Sequence, residues 1–105
     1  DRMTMETAKM IREDYLHQNA FHETDTYTSL LKQHKMLKLI YEFFRLGNLA
    51  IDNYAELDDV LAVPAKEKIG RAKYIPESEL DTLDDLLREL TAELKKIAET
   101  GDSNV

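Results

Sequence analysis

At 105 residues the chain holds one domain with a modest core, and 43% hydrophobic with 33% charged residues excludes wholesale disorder. Gly 3 and Pro 2 leave little material for tight turns, so helices are expected and strands are not. A net charge of −7 opposes nucleic acid and anionic membrane surfaces, and Cys 0 excludes disulfide or thiolate chemistry.

A first helix is expected from Thr4, whose hydroxyl caps the free amides, with Glu6 well placed in the first turn. Ala8, Ile11, Tyr15 and Leu16 give it an apolar stripe, and Asn19 ends it. Residues 22–28, rich in Thr and Asp, read as a loop, leaving Phe21 and Tyr27 as isolated aromatics beside a helix end.

The next helix has the strongest periodicity. Met36, Ile40, Phe43, Gly47, Ala50 and Tyr54 alternate steps of four and three, while Leu30, Leu37, Phe44 and Ile51 repeat every seven. Leu39, Leu46 and Leu49 broaden the apolar face, so this helix is central and packed on more than one side. Gly47 costs roughly 1 kcal/mol against Ala there, which points to close approach of a neighbouring helix. Lys32, Lys35 and Lys38 read as a solvated face.

Residues 56–62 form a short helix ended by Pro64, which opens another running to about residue 74. Pro76 breaks the chain again. Leu80, Leu83, Leu87, Leu90, Leu94 and Ile97 define a last amphipathic helix, with Gly101 as its stop and residues 102–105 as a frayed tail. The fold class is thus all-α, a small bundle of four to five helices over residues 1–101. No apolar run approaches the roughly twenty residues that span a bilayer. The first residue is Asp1 rather than Met, so a processed chain or a piece of something longer is expected.

Side-chain chemistry is sparse. Glu13 and His17 stand four apart, His22 and Asp25 follow in the loop, and His34 lies among lysines. A metal site needs three or four converging ligands, which this spacing does not supply, and HExxH is absent. Asp58-Asp59 and Asp84-Asp85 are sequence neighbours that point apart on a helix, so solvated faces are expected rather than an acid/base couple. No GxxxxGK[ST] loop, GxGxxG turn or GxSxG elbow occurs, and the chain alone is expected to be catalytically inert. Phe21 and Tyr27 are open to two readings: anchors of their loop on the bundle, or ring faces offered to a planar ligand such as a purine.

The words Asp1-Arg2-Met3-Thr4-Met5-Glu6, Ala8-Lys9-Met10-Ile11-Arg12-Glu13-Asp14-Tyr15-Leu16, Gln18-Asn19-Ala20-Phe21 and Asp25-Thr26-Tyr27 resemble the catalytic A subunit of archaeal and bacterial V/A-type rotary ATPases. Lys35-Met36-Leu37-Lys38 and Ala72-Lys73-Tyr74-Ile75-Pro76 fit in the same order. The resemblance covers nearly the whole chain, its specific part being the first thirty residues. It implies the C-terminal helical domain that follows the nucleotide-binding domain of that subunit. ATP or ADP with magnesium would be bound by the full subunit, with the phosphate loop, catalytic glutamate and magnesium ligands upstream. No catalytic residue, cofactor or metal is expected in this piece alone.

The resemblance also assigns roles. Asn19-Ala20-Phe21 is similar to the element that packs on the adenine ring, with Phe21 as its cover and Ala20 permitting close approach. Tyr27 is similar to a second aromatic in the related beta subunits of F-type enzymes. Asp1 and Arg2 would sit at the edge of the loop that pushes on the central shaft. His17 stands where the family commonly has glutamine, a change compatible with adenine packing. The implied partners are B subunits alternating in a hexamer and the central-shaft subunits, in a complex that is cytoplasmic and peripheral to the membrane. Composition and spacing alone leave two competitors: a free-standing acidic helical adaptor and, behind it, a small ligand- or metal-binding bundle enzyme.

Overall fold

The computed structural model describes residues 1–16 and 30–103, and every regular element among them is helical. Helix α1, Arg2–Met10, passes directly into a π-helical turn, Ile11–Leu16. The long α2 spans Leu30–Asp52, the short α3 Leu57–Leu61 and α4 Pro64–Gly70. Two 3-10 turns, Ala72–Tyr74 and Glu77–Glu79, lead into α5, Asp81–Ser103. The all-α bundle, with five α-helices among the described residues, agrees with the composition.

Asp1 caps α1: its carboxylate accepts the Met3 amide at 2.9 Å and the Thr4 hydroxyl at 3.1 Å. The helix therefore starts ahead of Thr4, whose hydroxyl donates to the cap instead of being it. A carboxylate also suits the positive end of the helix dipole better than a hydroxyl does. Ala8 is exposed, and the buried face of α1 is carried by Met3 and Met10. Alanine is small enough to sit on either side, so the long flexible methionines decide the face.

Helix α2 buries Met36, Leu39, Ile40, Phe43, Leu46, Gly47 and Ala50. The four-three series is the core stripe as far as Ala50, whereas Tyr54 lies beyond the helix end. The seven-residue series stays largely outside the core: Leu30 and Leu37 are exposed, Phe44 and Ile51 half-buried. At Gly47 α1 does come close, since a Cβ there would meet Met3 Cε at 2.7 Å and Val60 Cγ1 at 3.1 Å.

Cross-links between elements give the topology. Met3 touching Gly47 and Arg2 paired with Asp58 at 3.7 Å set the start of α1 beside the end of α2 and α3. Lys35 bonds Asp84 at 2.7 Å, joining the early turns of α2 and α5, so the two long helices run in the same direction. Helix α4 returns antiparallel to α5: Ala65 meets Glu93, and Lys68 meets Glu89. Leu83, Leu86, Leu90 and Leu94 of α5 close the core with Val60, Val63, Ala65 and Ile69. The result is elongated, 53 × 26 × 17 Å, because α2 and α5 each run for 23 residues, about 35 Å at helical rise. Two expected boundaries move. The helix opened by Pro64 stops at Gly70, with Ala72–Tyr74 tightening into a separate turn, and α5 continues past Gly101 to Ser103.

Helix α2 ends in a Schellman motif. The Ala55 amide donates to Ala50 O at 2.9 Å and the Tyr54 amide to Ile51 O at 3.0 Å. The residue at the left-handed position is Tyr54, φ 75, where glycine is favoured. Tyr54→Gly is predicted to stabilise the fold by about 0.5–1 kcal/mol, the relief of left-handed strain less the added freedom of the unfolded chain. Gly47→Ala is predicted to destabilise it by about 1 kcal/mol, since overpacking against Val60 and Met3 outweighs the gain in helix propensity. Urea denaturation of each variant reads both signs.

Candidate functional site

The least expected side chain in the bundle is Lys32. It occupies the core stripe of α2 one turn ahead of Met36 and is 4% exposed. Its ammonium donates to the carbonyl of Lys73 at 3.0 Å and of Ile75 at 2.7 Å. These carbonyls belong to the 3-10 turn Ala72–Tyr74 and the residue after it, where Pro76 breaks the chain and leaves acceptors without helical partners. Burial pushes the Lys32 ammonium below the usual lysine range, and the nearby Glu77 carboxylate partly offsets this. Sequence spacing grouped Lys32 with Lys35 and Lys38 as a solvated face; the structure corrects that for Lys32 and ties Lys35 to Asp84. A usable signal was present: Lys32 is in step with Met36, Ile40 and Phe43, so a lysine stood in register with the core.

The turn that Lys32 holds reaches back to the first helix. Lys73 Nζ lies 3.4 Å from the carbonyl of Glu13, inside the π-helical turn Ile11–Leu16, and 5.6 Å from the Tyr74 ring centre. A π-helical turn has a wider hydrogen-bond spacing than an α-helix and leaves backbone oxygens open to such donors. Lys32, the Ala72–Tyr74 turn, Lys73 and Glu13 thus form a bonded path from α2 to the last described turn before residue 17.

Between α1 and α2 runs an apolar groove of about 590 Å³ lined by Thr7, Ile11, His34, Leu37, Tyr41 and Phe44. The buried Thr7 hydroxyl has no hydrogen-bond partner among the described residues.

The acidic pairs behave as separate surface groups. Asp84 serves Lys35, Asp85 serves Arg88, and Asp58 serves Arg2. Glu93 has a different task. Pro64 pushes Val63 into extended geometry, Val63 has no capping group, and the Ala65 amide at the start of α4 is taken by Glu93 at 2.9 Å. Burial, together with a hydrogen bond to Glu89, raises the Glu93 carboxyl above its ordinary value, although the Ala65 amide opposes this. The Lys68 ammonium holds Glu89 below it. Hydrogen bonds likewise lower Asp84 through Lys35 and Glu42 through Arg45.

Residues 1–61, covering α1 to α3, match the family model for the C-terminal domain of V and A type ATP synthase. The chain belongs to that family. Among its relatives, the V-type ATP synthase alpha chain of Clostridium perfringens (strain SM101) is 52% identical over 101 residues, which is 96% of this chain and 17% of the relative. The namesake from Acetivibrio thermocellus is 49% identical over 98 residues, 92% and 17%, and that from Thermoanaerobacter sp. (strain X514) 44% over 101 residues, 96% and 17%. The chain therefore spans about a sixth of the length of these relatives.

Within this ATP synthase domain, two of the sequence-derived site residues are described: Asp1 as the cap of α1 and Arg2 in an exposed ion pair with Asp58. They are neighbours at one end of the bundle. Asn19, Ala20, Phe21 and Tyr27 lie outside the described residues, as do His17, His22 and Asp25. No helix among the described residues is long and apolar enough to cross a membrane.

Lys32→Met keeps the buried stem but leaves the carbonyls of Lys73 and Ile75 without their donor. A loss of about 2–3 kcal/mol is expected in urea denaturation, with faster amide exchange in residues 11–16 than in α1. The pH dependence follows from the shifted groups. Lowered Asp84, Glu42 and Glu89 contribute stability that is present above their unfolded values near 4 and is lost as pH falls through their folded values. Glu93 runs the other way, favouring the fold more as it protonates. Lys35→Gln should therefore flatten the acid limb of a stability–pH curve, whereas Glu93→Gln should steepen it; thermal melts from pH 3 to 7 read the two slopes.

Proposed function

We propose that this chain is the C-terminal module of the catalytic subunit of a rotary ATPase, that it covers the adenine of bound ATP or ADP, and that it carries motion to a central shaft. Family membership supports the module, and the words around Asn19-Ala20-Phe21 and Tyr27 support the adenine role. The observation that carries the reading is the bonded path ending at Glu13, because it anchors the backbone that leads towards residue 19. An aromatic cover works when its backbone is held before the ligand arrives, so that binding does not have to order it.

ATP enters this reading as substrate of the whole subunit. Phosphates and magnesium fall to residues ahead of Asp1, as the family resemblance implies. The module by itself is accordingly inactive. Its length and the two parallel 23-residue helices suit a lever that tilts as one body when the nucleotide state changes. Asp1 and Arg2, at one end of that length, are the residues nearest the shaft contact. B subunits and shaft subunits are the partners, in a cytoplasmic complex held at the membrane by its other subunits. This reading replaces the free-standing adaptor.

Phe21→Ala in the full subunit is expected to weaken nucleotide binding by roughly 5- to 150-fold, the range for losing one base–aromatic stack of about 1–3 kcal/mol, with the fold intact. Fluorescent-nucleotide titration with circular dichroism as the fold check decides it. Unchanged affinity removes Phe21 from the site.

A further inference from the structure

In the π-helical turn Ile11–Leu16 each amide is bonded to the carbonyl five residues back instead of four, so the turn holds one residue more than an α-helical ladder would. Its own residues do not ask for this. Ile11-Arg12-Glu13-Asp14-Tyr15-Leu16 contains neither proline nor glycine, the usual local causes of an interrupted ladder, and Arg, Glu and Leu are good α-helix formers. The wide register is therefore imposed by what the turn packs on: α2, α4 and the Ala72–Tyr74 turn. From the last of these, Lys73 Nζ donates to the carbonyl of Glu13 at 3.4 Å, and Lys32 pins the same turn through the carbonyls of Lys73 and Ile75. In an α-helical ladder a carbonyl points at the amide four residues on, so the Lys73 bond favours the wide register over the ordinary one.

We propose that Ile11–Leu16 is a two-register switch: a π turn while Lys73 holds Glu13, an α turn when that bond is released, with nucleotide occupancy of the full subunit setting the balance. The upstream end cannot absorb the change, because Met10 is buried and Ile11 is packed half-buried against the core. A change of register is therefore passed to the chain after Leu16, which turns by about 100° and moves by about 1.5 Å, the step of one helical residue. The choice of ligand rests on the adenine reading given above, since this is the chain that leads to Asn19-Ala20-Phe21. A ligand shifts such a balance only by preferring one register, and a base under the aromatic cover prefers the register in which the cover is aligned. That register is the π turn held by Lys73. A single exposed hydrogen bond contributes little, which suits a switch: the two registers stay close enough in free energy for a ligand to choose between them.

Hydrogen–deuterium exchange of the full-length subunit, read by mass spectrometry on peptides covering residues 11–16, tests this without nucleotide and at saturating magnesium ADP. In the wild type, exchange there should slow by roughly fivefold or more when ADP binds. Lys73→Met keeps the stem and removes the donor, and its exchange should stay fast in both conditions. Deleting the exposed Arg12 removes the extra residue and leaves an α turn whose far end keeps its place. Exchange in that variant should be slow in both conditions, with nucleotide affinity within about twofold of the wild type. Equal slowing by ADP in all three proteins is what general ordering around a ligand would give, and it overturns the switch. Where the Arg12 deletion does not fold, Lys73→Met decides, and slowing as large as in the wild type overturns the switch again. Fluorescent-nucleotide titration of the same preparations separates the two readings. A wild type that binds ADP with no change at residues 11–16 removes the switch alone, and a Phe21→Ala variant that binds ADP normally and still shows the change removes the adenine role alone.

Discussion

An ammonium group sealed between two backbone carbonyls organises this domain. Lys32 is buried, and its ammonium donates to two main-chain oxygens, at 3.0 and 2.7 Å. Burying a charge costs several kcal/mol unless hydrogen bonds compensate. Here the compensation also fixes the chain at the break made by Pro76, a place where backbone acceptors have no helical donors. Remove the lysine and the charge goes with it, but the two carbonyls lose their donor. The cost of the arrangement is therefore tied to the geometry it secures.

That geometry matters because the turn held by Lys32 in turn offers Lys73 to Glu13. The bonded path connects the stiff pair α2 and α5 to the π-helical turn ahead of the proposed adenine corner. In the function proposed above, the aromatic cover would have to stay in register while the whole module tilts. In the proposed reading, holding the turn ahead of that corner on the long helices would let one rigid-body movement carry both.

Much of the fold was legible because long helices advertise themselves. The four-three spacing from Met36 to Ala50 and from Leu83 to Leu94 identified the two members that make the core, and Gly47 marked the close approach of α1. The errors have physical causes. Ala8 carried too little side chain to decide which way α1 faces, and Thr4 looked like a cap because Asp1 stood at the very start. Lys32 was hidden by two neighbouring lysines that do meet solvent or an acid, although its register with Met36 was visible. The Glu93 cap of α4 joins residues 28 apart in sequence, beyond the reach of any local pattern. For the site itself, family resemblance supplied Asn19, Ala20, Phe21 and Tyr27; periodicity supplied only their surroundings.

The central claim is that the Lys32 anchor acts on nucleotide binding through the aromatic corner. A double-mutant cycle in the full subunit tests it, with nucleotide affinity measured for Lys32→Met, Phe21→Ala and the pair. The account predicts that Lys32→Met weakens binding when Phe21 is present and adds nothing once Phe21 is gone. Equal effects of Lys32→Met in both backgrounds, or none in either, would contradict it.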